Sequence, residues 1–138
     1  MPSFPTIIPV VAAALIDASG AVLMQKRRFN KAHGGLWEFP GGKVERAESL
    51  EAALVRELAE ELAIAIDSES LIPFRFASAV GFPHVVLLYI CRTWHGEPVA
   101  LEAEELAWVA PGNLANLPMP PLDVPLAAAL YEASKRTN

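Results

Sequence analysis

Glu57, Glu60 and Glu61 stand at i, i+3 and i+4 within the run 41–64, GGKVERAESLEAALVRELAEELAI, and Arg56 directly precedes the first of them. On a helix that spacing lets three carboxylates converge on one side, and here they fall in the last turns. Carboxylates near a helix C-terminus meet the negative end of the dipole and repel one another, each effect costing about 0.3–1 kcal/mol. A hard divalent cation such as Mg2+ offsets that cost, because it takes oxygen ligands and shares protein carboxylates with water and substrate phosphates. Arg56 can orient one carboxylate through a two-pronged contact. Any one of these glutamates alone reads as part of a solvated acidic face.

The helix that must carry them is written in the same run. Ser49 is the expected N-cap, its hydroxyl accepting a first-turn N–H, and Glu51 sits where the dipole favours negative charge. Leu50, Leu54, Leu58 and Leu62 recur at every fourth position and give an apolar stripe to face a core. Ahead of the helix, residues 7–16 read as a strand, 17–20 as a turn and 21–25 as its hairpin partner, because Gly and Asp favour tight turns between apolar runs. Residues 26–35 form a polar loop and 36–39 a short strand. Pro40, Gly41 and Gly42 then make a turn that brings backbone close to whatever the helix binds. After the helix, 72–79, 85–93 and the shorter 106–109 are strands rich in aliphatic and aromatic residues, expected to join a mixed sheet. Residues 118–125 read as a proline-rich loop, and 126–134 as a terminal helix with Leu126, Leu130 and Tyr131 on one side.

A chain of 138 residues that is 53% hydrophobic is long enough for one domain with a real core and too short for two ordinary ones, so a single domain over 1–138 is expected. A net charge of −5 argues against a protein that holds nucleic acid by a basic surface, since phosphate neutralisation needs clustered Lys and Arg. A free nucleotide carried with Mg2+ remains compatible. The single Cys91 lies in the apolar run HVVLLYIC and reads as a buried small hydrophobe rather than a nucleophile. The start lacks the basic residues of a signal peptide, and the apolar segment 7–16 is too short to span a membrane. A cytoplasmic protein, monomer or homodimer, with no membrane partner is expected.

Gly42 is followed after five residues by Glu48, and after seven more by Arg56, Glu57, Glu60 and Glu61 in the pattern REXXEE. If each identity occurred at about 6%, a chance match in such a chain would be on the order of 10⁻⁵ or rarer. The pattern resembles the Nudix box, the signature of hydrolases that cleave a nucleoside diphosphate linked to another group. It departs at Ala63, where the family carries a glycine that serves the helix exit. Pattern alone gives an α+β domain; the resemblance implies the Nudix fold, an α/β/α sandwich with a mixed β-sheet. It also implies that Glu57, Glu60 and Glu61 are metal ligands with the Gly41 carbonyl, that Glu57 is the base, and that Arg56 orients the set, with Mg2+ as cofactor and Mn2+ as a substitute.

LWEFPGGKVE and the later HGEP with Trp108 resemble the MutT-like branch, whose members hydrolyse nucleoside triphosphates to a monophosphate and pyrophosphate and include enzymes that clear oxidised guanine nucleotides. That resemblance implies a further metal acid at Glu102, with Glu104 and Glu105 as competitors, and a phosphate contact at Arg27. It places nucleobase recognition at Asp123 in PPLDVPL. An acceptor there suits the N4 amino group of cytosine or the N1–H and amino group of a guanine-type base, while an aspartate could instead cap the terminal helix. Phe39 and Phe82 are candidates to stack on the base. His33, His84 and His95 have no paired spacing of a metal site. The competing functions are a cytidine triphosphate pyrophosphohydrolase, a hydrolase of RNA 5′ ends or dinucleoside polyphosphates, and a nucleotide-binding module without catalysis.

Overall fold

Strand β1 (Ile8–Leu15) is apolar at every position, and a strand with no polar face is one that is covered on both sides. It becomes the inner strand of a four-stranded mixed sheet, parallel to β6 (Phe82–Cys91) and antiparallel to β4 (Gly41–Lys43), with β5 (Ile72–Ala79) beyond β6. A second, three-stranded antiparallel sheet has β2 (Val22–Lys26) at its centre, between β3 (Trp37–Glu38) and β7 (Glu105–Val109). The structure, a computed structural model, describes residues 6–136; the outermost residues of the expected domain over 1–138 lie outside that range.

Alternation along β1 divides the core. Val11, Ala13 and Leu15 pack with Leu54, Leu58 and Leu62 of helix α1 (Leu50–Leu62), whereas Ala12 and Ala14 pack with Leu126 and Leu130 of helix α2 (Asp123–Ser134). One helix therefore covers each face, which is the expected α/β/α sandwich. The three α1 leucines are fully buried, each contributing about 1.5–3 kcal/mol of apolar transfer free energy. Cys91 is buried, and burial raises its thiol pKa, as fits a packing residue.

Four expectations are corrected. Residues 21–25 are not the hairpin partner of β1: apart from one bridge between Ile16 and Val22, the two strands part into different sheets. The segment at Gly41 and Gly42 is not a turn but strand β4, which pairs so closely with β1 that a Cβ at Gly41 would collide with the Val11 carbonyl. The terminal helix begins at Asp123 rather than at 126, since Pro125 is tolerated in a first turn where N–H groups lack partners. Tyr131 does not share the buried side of Leu126 and Leu130 and is 39% exposed.

Helix α1 starts as expected, with the Ser49 hydroxyl accepting the Ala52 N–H at 3.0 Å. It ends on Ala63 in the left-handed conformation, φ 58° and ψ 33°, whose N–H bonds the Ala59 carbonyl. Alanine meets a Cβ penalty there that glycine does not, of about 1 kcal/mol. Ala63→Gly is expected to stabilise the fold by about 0.5 kcal/mol, the αL penalty less glycine's entropy cost of about 0.5 kcal/mol. Thermal melting checks this, and an unchanged or lowered midpoint would contradict it.

Candidate active site

The rotation of α1 that buries its leucines also sorts its acids. Glu57 and Glu61, one turn apart, turn inward, and Glu61 is only 6% exposed. Glu57 lies against the Gly42 backbone, where a Cβ on residue 42 would collide with its carboxylate. Glu60 instead has a half-exposed side chain, bound to Arg56 at 3.3 Å.

Arg56 ties the site together. Its Nε and Nη2 fork onto Glu48 at 2.7 and 2.9 Å, its Nη1 donates to Glu57 at 2.9 Å, and Nη2 also reaches the Lys43 carbonyl at 3.2 Å. This fork holds the Glu48 carboxyl down to about 2. The helix side chains are thereby fixed to the end of β4.

Glu57, Glu61, Glu38 and Glu102 line one cavity of about 280 Å³, together with Gly41 and Gln25. The basic residues Arg27, Arg28 and Lys31 line the same cavity. Glu61 accepts a hydrogen bond from Gln25 Nε2 at 2.7 Å, while its Oε2 is buried without a partner. Burial pushes the Glu61 carboxyl well above the ordinary range, and the Glu57 and Glu38 carboxylates push it the same way. Glu38 is raised by burial too, against the opposing charge of Arg27, whose Nη1 meets its two oxygens at 3.1 and 3.3 Å.

Among the described residues, no three His, Cys, Asp or Glu side chains form a ready-made metal cage. Mg2+ does not need one, because it is bound through one or two carboxylates with waters and substrate oxygens supplying the rest. The donors present fit such an ion: they are all oxygens, and a buried carboxylate oxygen without a donor is the kind of atom a cation satisfies.

The remaining expected residues are placed differently. Asp123 is buried, outside the cavity lining, and its Oδ2 accepts the Phe39 N–H at 3.1 Å. It does not cap α2: the N-cap is Leu122, with no side-chain cap bond. Burial pushes the Asp123 carboxyl up to about 7, the Phe39 N–H lowering it and the Glu38 charge raising it. The Phe39 ring belongs to the core on the α2 side, and Phe82 is half exposed, its ring 4.8 Å from that of His84. Glu105 pairs with Lys26 at 3.4 Å.

Sequence reasoning missed Gln25, Glu38, Arg28 and Lys31. Gln25 carried a signal: a polar residue on the same face of β2 as Leu23, where period 2 demands an inward side chain. Glu38 lay within LWEFPGG and was assigned no role.

The NUDIX domain model matches residues 6–130. The CTP pyrophosphohydrolase of Escherichia coli (strain K12) is 36% identical over 121 residues, covering 86% of this chain and 88% of that protein. An 8-oxo-dGTP diphosphatase from Haemophilus influenzae is 33% identical over 124 residues, covering 87% and 88%. A structure from work on MutT of Aliivibrio salmonicida and Vibrio cholerae superposes with a TM-score of 0.82 at 30% identity, covering 93% of this chain and 99% of that one. The solution structure of the E. coli ORF135 protein gives 0.79 at 34% identity, covering 97% and 96%. Agreement in both sequence and fold over nearly all of the described residues means that the chain belongs to the Nudix family, as a MutT-like hydrolase of phosphoric anhydride bonds.

Proposed function

We propose that the protein is a Mg2+-dependent nucleoside triphosphate pyrophosphohydrolase, releasing pyrophosphate and a monophosphate from oxidised or otherwise modified nucleotides such as 8-oxo-dGTP. The observation that carries this reading is one cavity that joins Glu57, Glu61 and Glu102 to Arg27, Arg28 and Lys31. A triphosphate with its cation needs both halves, carboxylates for the metal and guanidinium or ammonium groups for the phosphate oxygens. Nudix hydrolases generally use divalent metal ions, and such an ion neutralises phosphate oxygens and lowers the pKa of a bound water.

In this reading Glu57, Glu61, Glu102 and the Gly41 carbonyl hold the ion. Glu60, tied to Arg56 outside the cavity, joins them only by leaving that partner. Glu57 accepts the proton of the attacking water, and Arg56 keeps its carboxylate in place through the 2.9 Å contact. Arg27 already has a carboxylate partner in Glu38 and turns its remaining N–H groups to phosphate.

Asp123 is the reading's residue for the nucleobase. With its carboxyl near 7, the protonated form offers one O–H donor and one acceptor, and the ionised form only acceptors. The ionised form suits the cytosine amino group or the N1–H and amino group of an oxidised guanine, and the protonated form can in addition donate to the guanine O6. A cytidine nucleotide is therefore the second reading, favoured by the 36% identity to a CTP pyrophosphohydrolase.

Purified protein with Mg2+ is expected to release pyrophosphate from 8-oxo-dGTP or from a cytidine triphosphate across a panel of normal and modified nucleotides. Absence of pyrophosphate from every member, with Mg2+ and with Mn2+, overturns the reading.

A further inference from the structure

Gln25 is 3% exposed at the end of β2 and has two carboxylates for neighbours. Its amide nitrogen donates to Glu61 at 2.7 Å and to Glu38 at 3.3 Å. An amide NH2 has two protons, so this nitrogen is fully used and the amide can take only one orientation. Its Oε1 is then buried without a partner, as is Glu61 Oε2. Leu23, its neighbour on the same face of β2, packs against α1, so Gln25 is held by the strand and not by the loop that follows. Beyond Glu38 the series continues to Arg27, which also donates from Nε to the Ala32 carbonyl at 2.6 Å.

We propose that Gln25 is a positioning residue: it fixes the Glu61 carboxylate for the metal site and joins it, through Glu38, to the phosphate-binding Arg27. This rests on the functional reading above. The other hydrogen-bonding side chain at Glu61 is Glu57, itself an acid, so removal of the Gln25 amide leaves a buried carboxyl whose rotamer no basic or amide group sets. It also removes a donor that Glu61 and Glu38 share within one cavity. Groups that hydrogen-bond a metal's carboxylate ligands set ligand orientation, and their loss typically lowers metal affinity or activity about 10–100-fold.

The test is Mn2+ binding by the full chain without nucleotide, followed by electron paramagnetic resonance, with a thermal melt of each variant. Gln25→Met matches the volume and removes both donors; Gln25→Leu replaces it should the methionine variant not fold. The variant is expected to fold, melting a few degrees lower because a buried acceptor loses its donor, and to bind Mn2+ about 10–100-fold more weakly. In a Glu61→Gln background the same substitution is expected to change Mn2+ affinity by no more than about threefold, because the effect runs through Glu61. Unaltered Mn2+ affinity in Gln25→Met overturns the proposal, and so does a loss that persists in full without Glu61. A wild-type protein that binds no Mn2+ instead removes the metal-dependent reading itself, and this inference with it.

Discussion

Glu57→Gln is expected to hydrolyse nucleoside triphosphates at least about 100-fold more slowly than the wild type, since a positioned general base contributes typically 10²–10⁴-fold. The substitution keeps the side-chain volume and the packing against Gly42, and removes only the charge and the capacity to accept a proton. Its stability effect is small because two changes oppose each other. The Arg56 contact at 2.9 Å weakens, though the glutamine carbonyl can still accept from the guanidinium. Repulsion between Glu57 and the buried Glu61 is relieved at the same time. Steady-state pyrophosphate release with parallel melting curves separates these outcomes. Wild-type turnover in the variant would show that another group takes the proton.

Asp123→Asn is expected to raise stability at pH 8 by about 2–4 kcal/mol, because each tenfold difference in proton affinity between the folded and unfolded states is worth about 1.4 kcal/mol. The sign follows from a folded carboxyl near 7 against an unfolded value of about 3.9. Below the unfolded value both states are protonated and nothing is lost. Between the two values the unfolded chain has released its proton while the folded one retains it, so stability falls as pH rises, and the full cost is reached above 7. Asparagine never ionises and its carbonyl can still accept the Phe39 N–H, so its advantage should vanish near pH 4. Melting midpoints of both proteins from pH 4 to pH 8 check this; a constant difference across that range would assign the effect to packing. The same pair of proteins, tested on cytidine and oxidised guanine triphosphates, reads the base contact.

The parts of the fold that were legible in the sequence are those set by local period and caps. Helix α1 runs from its Ser49 cap through the leucine stripe as written, and β5 occupies 72–79 as expected. The pairing of β1 with β2 was misread because a Gly-containing turn reverses the chain without deciding its partners. β1 is apolar on both faces and β2 is buried on both, Gln25 included, so each needed a sheet around it, and the chain crosses from one sheet to the other at the turn. Ala63 shows the opposite case. The sequence lacks the glycine, yet the αL exit forms, because a penalty of about 1 kcal/mol is small against the buried leucines that fix the helix end.

By itself the sequence determined that Glu57, Glu60, Glu61 and Arg56 ride one helix next to a glycine pair, since 3.6-residue periodicity and capping act within a few residues of each other. Only the tertiary structure decided which acids share the cavity. Burying Leu54, Leu58 and Leu62 fixes the helix rotation, which turns Glu57 and Glu61 inward and leaves Glu60 outside with Arg56. Packing also brought Gln25 against that helix, with Glu38 and Arg27 in the same cavity, 36 residues separating Gln25 from Glu61, and no local rule spans such a distance. It placed Asp123 under the Phe39 N–H, across 84 residues, where desolvation rather than residue type sets its charge.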